Sequence, residues 1–240
     1  ASAVAQAQLP QLTRIDEAQA NIQLDGFVDE AVWEDLPVID GMRVINPDTL
    51  AETPYETHIR MFYSEQGIYV SAINYQPEDT LVARMTSRDV ELDRDGFVVG
   101  IDASGDGLYG YFLRINLGDS MDDASLLPER IMNMQWDGSW NGEYYIPWAM
   151  MPLPQVDAAR RQIGFYFERQ IGHLGGETWS NPALPLTVNE YLSAFQKYEL
   201  RDIEPRRQLT FYPFSSTVFD GIKHDTDAKI GTDIYWRPTT

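Results

Sequence analysis

The sequence predicts an all-β protein, an antiparallel β-sandwich of the jelly-roll or immunoglobulin-like kind with one short amino-terminal helix and a carboxy-terminal hairpin extension. Three observations carry that prediction. Tyr109, Tyr111, Leu113, Ile115 and Leu117 alternate with Gly110, Phe112, Arg114 and Asn116, and Phe165, Phe167 and Arg169 alternate with Tyr166, Glu168 and Gln170. A period of two is that of a strand with one buried face. HIRMFYS, GIYVSAINY, GFVVGID and EYYIPW are short, β-branched or aromatic, and bounded by Gly, Pro, Asn or Asp. Short strands at such spacing, with turn signals between them, are the pattern of a sandwich.

Residues 1–14 open with ASAVAQAQLPQ, which is small, uncharged and carries Ala-x-Ala spacings of the kind that end a signal peptide. They read as a flexible arm or a signal-peptide remnant, and predict export. Residues 15–204 are the sandwich, with VDEAVWEDL as its helix after Leu24-Asp25-Gly26 and a weaker helical turn at PQVDAARRQ. A boundary falls near Glu204-Pro205. In residues 205–240, QLTFYPFSSTVF and KIGTDIYWRP are amphipathic stretches joined by the polar DGIKHDTDA, a hairpin pattern rich in aromatics. Alternating strands of about ten residues also build outer-membrane barrels, so this hairpin is a candidate start of a membrane β-barrel.

The 240 residues carry 18 Lys and Arg against 37 Asp and Glu, a net charge of −19. Such a field repels phosphate backbones and anionic headgroups, so no nucleic-acid partner is expected. It suits divalent cations and neutral ligands. At 43% hydrophobic the chain is too apolar to remain disordered, and no run of 18 apolar residues is present to span a membrane as a helix. The absence of cysteine excludes disulfides, thiolate metal sites and cysteine nucleophiles.

GDGLYG, Gly105 to Gly110, has the spacing of a dinucleotide fingerprint, but the strand YFLRINL follows it where a helix would have to begin. A hairpin turn accounts for the same glycines. ELDRDGFVVGID resembles a calcium loop in outline, which makes Asp93, Asp95 and Asp102 the candidate metal ligands; solvated turn aspartates are the competing reading. His58, His173 and His224 lie far apart, and neither an HExxH nor a GxSxG pattern occurs, so nothing points to an enzyme. Trp136 and Trp140 stand in QWDGSWNGEYY, a stretch of loop composition, with Trp148 and Trp179 farther on. Flat rings stack on the C–H face of a sugar, and nearby carboxylates and amides bind its hydroxyls. Trp136, Trp140 and Trp179 are therefore the candidate stacking rings. Arg169, in phase with Phe165 and Phe167, points inward and needs a partner, either a carboxylate such as Glu143 or a ligand hydroxyl.

The order of these segments carries a resemblance. IQLDGFVDEAVWEDLP looks like an "I-D-G-x-L-D-E-x-x-W" opening, and TPYETHIRMFYSEQGIYVSAINYQP like a "T-x-V-x-V-x-Y-D-x-x-x-L-Y-V" strand pair. SRDVELDRDGFVVGIDASGDG resembles an "R-D … D-x-x-x-V-x-x-D" segment and GYFLRINLGDSMDD a "Y-x-F-x-V-N-x-x-G-x-x-x-D" stretch. GEYYIPW and IGFYFERQIGHLGGETWSNP follow as "E-x-x-I-P" and "G-x-N-F-x-R … W". The series resembles the family-nine carbohydrate-binding-like domains, in particular the amino-terminal domain of bacterial outer-membrane β-barrel proteins. That resemblance implies a jelly-roll sandwich, export to the outer membrane, periplasm or cell surface of a Gram-negative bacterium, and binding of an oligosaccharide or polysaccharide. It also implies a membrane β-barrel of the same polypeptide as a partner.

Two functions follow. One is a non-catalytic carbohydrate-binding module with Trp136, Trp140, Trp179, Arg169 and Glu143 at its site, and calcium held by the acidic loops. The other is a structural plug, gate or assembly domain of a barrel with no sugar ligand. Solvent-facing tryptophans favour the first, buried ones the second.

Overall fold

A strand with one apolar face must bury that face against another layer, and the chain does so with two sheets. The computed structural model describes residues 9–84, 93–117, 120–123, 129–133, 138–151, 153, 160–203, 208–220 and 225–237. The chain divides into two units, residues 1–203 and 204–240. In the first, the strands are β1 (Arg43–Asn46), β2 (Thr57–Tyr63), β3 (Gly67–Tyr75), β4 (Gly96–Asp102), β5 (Gly110–Asn116) and β6 (Ser120–Asp123). They continue with β7 (Glu129–Asn133), β8 (Ser139–Pro147), β9 (Arg161–Ile171), β10 (Glu177–Asn181) and β11 (Gln196–Leu200). The smaller sheet has the order β2-β3-β8-β7 and the larger β1-β10-β9-β4-β5-β6. β10 pairs with Phe167–Ile171 of β9 and β11 with Arg161–Phe165, so two short strands share one edge of the longest strand of this unit. The pairings within both sheets are antiparallel, which is the all-β sandwich the alternation predicts.

The core lies between the sheets. Ile59, Met61, Ile68, Val70, Ala72, Tyr144 and Ile146 from the smaller sheet meet Phe97, Val99, Ile101, Leu113, Ile115, Phe165 and Phe167 from the larger in one buried cluster. Each set is every second residue of its strand, as the pleat requires. The GDGLYG segment is the β4–β5 hairpin connection, with Gly105 and Gly107 at φ 72° and 77°. A Cβ on Gly107 would lie 2.1 Å from Ser193 Oγ, so glycine is needed there for space as well as for conformation.

The outer face of the smaller sheet is also apolar, which alternation alone does not foretell. Phe62 stacks on Tyr69 at 4.7 Å and Tyr69 on Tyr145 at 4.9 Å, forming a row of rings across β2, β3 and β8. Residues 15–36 cover it, with the single-turn helices α1 (Glu17–Ala20) and α2 (Ala31–Glu34) contributing Ala20 and Trp33, and Leu36 closing the cluster. The helix expected at VDEAVWEDL is therefore only one turn long, because its purpose is to seat Trp33. That ring lies 5.3 Å from Phe62, and its Nε1–H donates to Glu30 Oε2 at 3.1 Å. The turn expected at PQVDAARRQ lies largely outside the described residues.

The second unit is a single hairpin of β12 (Gln208–Asp220) and β13 (Asp225–Arg237), 13 residues each and paired over their whole length. The polar DTDA, expected to be connection, pairs as strand. The register sets Leu209 against Trp236 and Phe211 against Ile234. Phe214 covers Gly231, where a Cβ would lie 2.5 Å from the ring, a cross-strand pairing in which an aromatic side chain compensates a strand glycine. No helix among the described residues is long and apolar enough to cross a membrane.

Trp33 is 2% exposed. Trp33→Ala should therefore cost about 3–5 kcal/mol through the cavity it leaves, read as a lower urea midpoint at unchanged slope.

Candidate functional site

Arg169 stands where the two sheets meet at one end of the sandwich. Its strand neighbours Phe165 and Phe167 enter the core, and the alternation carries its guanidinium inward with them, as the sequence predicts. It is fully buried. Nη1 donates to the Glu56 carbonyl at 2.9 Å and to Thr57 Oγ1 at 2.8 Å, and Nη2 to the Tyr75 carbonyl and to Gln76 Oε1, both at 2.9 Å. Its Cζ lies 5.3 Å from the Trp179 ring centre and 5.9 Å from that of Trp140, within cation–π range. Burial pulls its pKa down to about 9, opposed by the charge of Asp95.

Asp95 reaches Arg169 through an amide. Gln76 offers its oxygen to the guanidinium and its Nε2–H to the Asp95 carboxylate at 3.2 and 3.3 Å. Asp95 also accepts the N–H groups of Val82, at 2.6 Å, and Gly172, at 3.1 Å. The buried cation and anion are thus linked by an amide that polarises between them, and three loops are tied to one point.

Several expectations about the site are corrected here. Trp140 and Trp179 are both 0% exposed, so neither has a free ring face for a sugar. Trp140 belongs to β8, not to a loop: Trp140, Gly142, Tyr144 and Ile146 are every second residue and face Asn74, Ala72, Val70 and Ile68 across the register. Gly142 supplied the apparent loop character, but it is there because a Cβ would strike Ile115 Cδ1 at 2.4 Å. Glu143 lies on the opposite face of β8 from Arg169, so the two do not pair. Its Oε2 accepts the N–H of Asp25 at 3.2 Å and of Gly26 at 2.9 Å, holding the Leu24-Asp25-Gly26 turn onto the sheet.

The candidate calcium ligands Asp93, Asp95 and Asp102 do not form one cluster. Asp95 is committed as above, and Asp102 accepts Ser104 Oγ–H and the N–H groups of Gly105 and Gly107, at 2.8, 3.1 and 2.8 Å, inside the β4–β5 turn. Asp93 is exposed. Among the described residues, no three His, Asp or Glu are placed to hold a metal ion together. Trp136 lies outside the described residues.

Sequence reasoning missed the rings that do reach the surface. Tyr75 is 38% exposed, and His58 meets it edge-on at 5.0 Å while its Nε2 lies 3.3 Å from Glu56 Oε2. On the other side of the same strand start, Tyr55 shares a hydrogen bond of 3.3 Å with His173 Nε2 and packs at 5.9 Å on Trp179. The available signal was register: Glu56 and Tyr75 are neighbours because the Tyr75 N–H donates to the Glu56 carbonyl at 3.1 Å. Just before β8 at this end stands Gly138, whose carbonyl accepts the Gln76 N–H at 2.9 Å.

No family model and no curated protein matches the sequence. The fold is similar to that of a family 9 carbohydrate-binding module from Caldicellulosiruptor kristjanssonii in complex with cellotriose. The TM-score is 0.59 at 15% identity, covering 82% of this chain and 95% of the module. The structure of a family 9 module from the same organism in complex with glucose gives 0.60 at 14%, covering 83% and 98%. A third structure, from Bacteroides uniformis, gives 0.57 at 11%, covering 80% and 98%. The chain has the carbohydrate-binding-module jelly roll.

Arg169→Met should abolish folding or lower stability by about 3–5 kcal/mol, because it strands Gln76, Thr57 and the charge of Asp95 in the interior. Arg169→Lys should recover little, since an ammonium cannot span four acceptors in one plane. Denaturant midpoints of the two variants check this.

Proposed function

We propose that this chain binds carbohydrate and performs no chemistry on it. The observation that carries the reading is the fold likeness, over more than four fifths of this chain, to modules solved with cellotriose and glucose. The contact surface is the end of the sandwich above Arg169. Tyr75 offers a ring with its outer part free, His58 braces it edge-on, and the exposed Glu56 carboxylate accepts sugar hydroxyls. Trp136 remains a stacking candidate, because it stands two residues before Gly138, which bonds to Gln76 beside Tyr75. Trp140 and Trp179 serve this surface from beneath. The ligand is an oligosaccharide or polysaccharide, neutral in keeping with the net charge of −19.

The setting we infer is an exported protein at the outer membrane of a Gram-negative bacterium. The hairpin of β12 and β13 supports it, being long enough to cross a bilayer, pairing apolar with apolar residues at Leu209–Trp236 and Phe211–Ile234, and leaving Ile230 89% exposed. The burial of Trp140 and Trp179 and the same hairpin favour a second reading, in which the sandwich is the plug, gate or assembly domain of a barrel and binds no sugar.

A glycan array with the whole chain should find a binder. Tyr75→Ala or Trp136→Ala should weaken it at least about tenfold, the loss of one dominant ring, with the urea midpoint little changed. Absence of binding at millimolar glycan would sink the carbohydrate reading and leave the structural one.

A further inference from the structure

Glu143 is 0% exposed, yet only half of its carboxyl group is used. Oε2 holds the Asp25 and Gly26 N–H groups, while Oε1 finds no hydrogen-bond partner among the described residues. Ser71 is the register partner of Glu143 on β3, and its buried Oγ likewise finds none. If ionised, the Glu143 carboxylate would keep a buried Oε1 with no donor opposite it among the described residues. A buried polar atom left unpaired costs about 1–3 kcal/mol and more when it is charged, so a proton on the carboxyl relieves the larger part of that cost.

We propose that Glu143 docks the Asp25–Gly26 turn as a neutral acid, and that loss of its proton releases the turn from the smaller sheet. The charged groups around it agree. From the covering segment come Asp25 and Glu30, both negative, with Glu30 fixed by the Gln23 N–H and by Trp33 Nε1–H. From the sheet comes Arg60, the register partner of Ser71 one strand farther away, whose buried Nε finds no partner among the described residues and so does not pair with Glu143. In the next row, Tyr69 spends its hydroxyl on Glu17. Burial pushes the Glu143 carboxyl up to about 7, the two turn N–H groups oppose this, and Glu30 and Asp25 add to it.

The sign follows by linkage. The docked state holds the proton more tightly than the open one, so docking is strongest below the ordinary carboxyl range and weakens as pH rises through 7. With the open carboxyl at 4.5 and the docked one at about 7, the opening constant should rise about tenfold between pH 6 and pH 8. Apolar contacts of Trp33 and Leu36 keep the covering segment near the sheet, so the event is local.

Amide exchange of Asp25 and Gly26, corrected for intrinsic rates and followed from pH 5.5 to 8.5 on the whole chain, measures this opening without any ligand. Wild type should lose about tenfold protection from pH 6 to 8, and Glu143→Gln, whose amide oxygen still accepts both N–H groups, should show no such trend. A flat wild-type profile overturns the proposal, and so does an equal trend in the glutamine variant, which would place the titration on Asp25 or Glu30. Should the variant fail to fold, the carboxyl carbon shift of Glu143 in the wild type decides: titration near 7 supports the proposal, and titration below 5 refutes it.

Discussion

One buried guanidinium organises an entire end of this sandwich. A cation withdrawn from water must recover in fixed contacts what it lost in hydration, and Arg169 does so with four acceptors in its own plane and two tryptophan rings on its faces. Those acceptors come from the residues that begin β2 and end β3, so the bonds fix where one strand starts and the other stops. Gln76 passes the constraint to Asp95, and Asp95 passes it to Val82 and Gly172. Remove the cation and these segments lose their common anchor, while Asp95 keeps a buried charge that Arg169 no longer opposes.

The segments by which the sequence resembles carbohydrate-binding-like domains turn out to meet one another inside the protein. The Asp25-Gly26 of the opening segment is held by the Glu143 of GEYYIP. The Arg169 of GFYFERQ lies against the Trp179 of GETWSNP and is linked through Gln76 to the Asp95 of ELDRDGFVVGID. Asp102, from the same segment, folds the turn that follows it. Each is a polar group that a mainly apolar interior must satisfy in a specific way. A resemblance carried by such residues speaks for the scaffold, because buried polar networks tolerate few alternatives. It says little about the surface, where the rings that touch a ligand are free to differ.

This explains what was legible in the sequence. Period-two alternation identified the strands, and the phase of Arg169 with Phe165 and Phe167 gave its inward direction, since both depend only on neighbours in sequence. The GDGLYG hairpin was legible for the same reason, as turn chemistry is local. Trp140 was misread because its stretch is polar: Asn141 and Glu143 face the other side of β8, and a strand buried on both faces blurs the distinction between loop and core. Asp95 and Asp102 read as cation ligands because composition cannot distinguish a carboxylate that meets a metal from one that meets backbone N–H groups. Tyr55, Tyr75, His58 and His173 were invisible as a set, because register and not spacing brings them to one end.

The interior and the proposed surface are connected by the backbone. Glu56 and Tyr75 each give their carbonyl to Arg169 and their side chain to the exterior. The same guanidinium that closes the core therefore fixes the positions from which the Tyr75 ring and the Glu56 carboxylate project. Tyr55 packs on Trp179, one of the two rings that Arg169 meets. A ligand meeting these groups finds them ordered in advance, so little of its binding energy is spent on immobilising loops. Contact groups held from behind by a buried polar layer are what the proposed site on a strand edge requires. In this protein Trp140 and Trp179, two of the rings expected to touch a sugar, stand instead in that supporting layer.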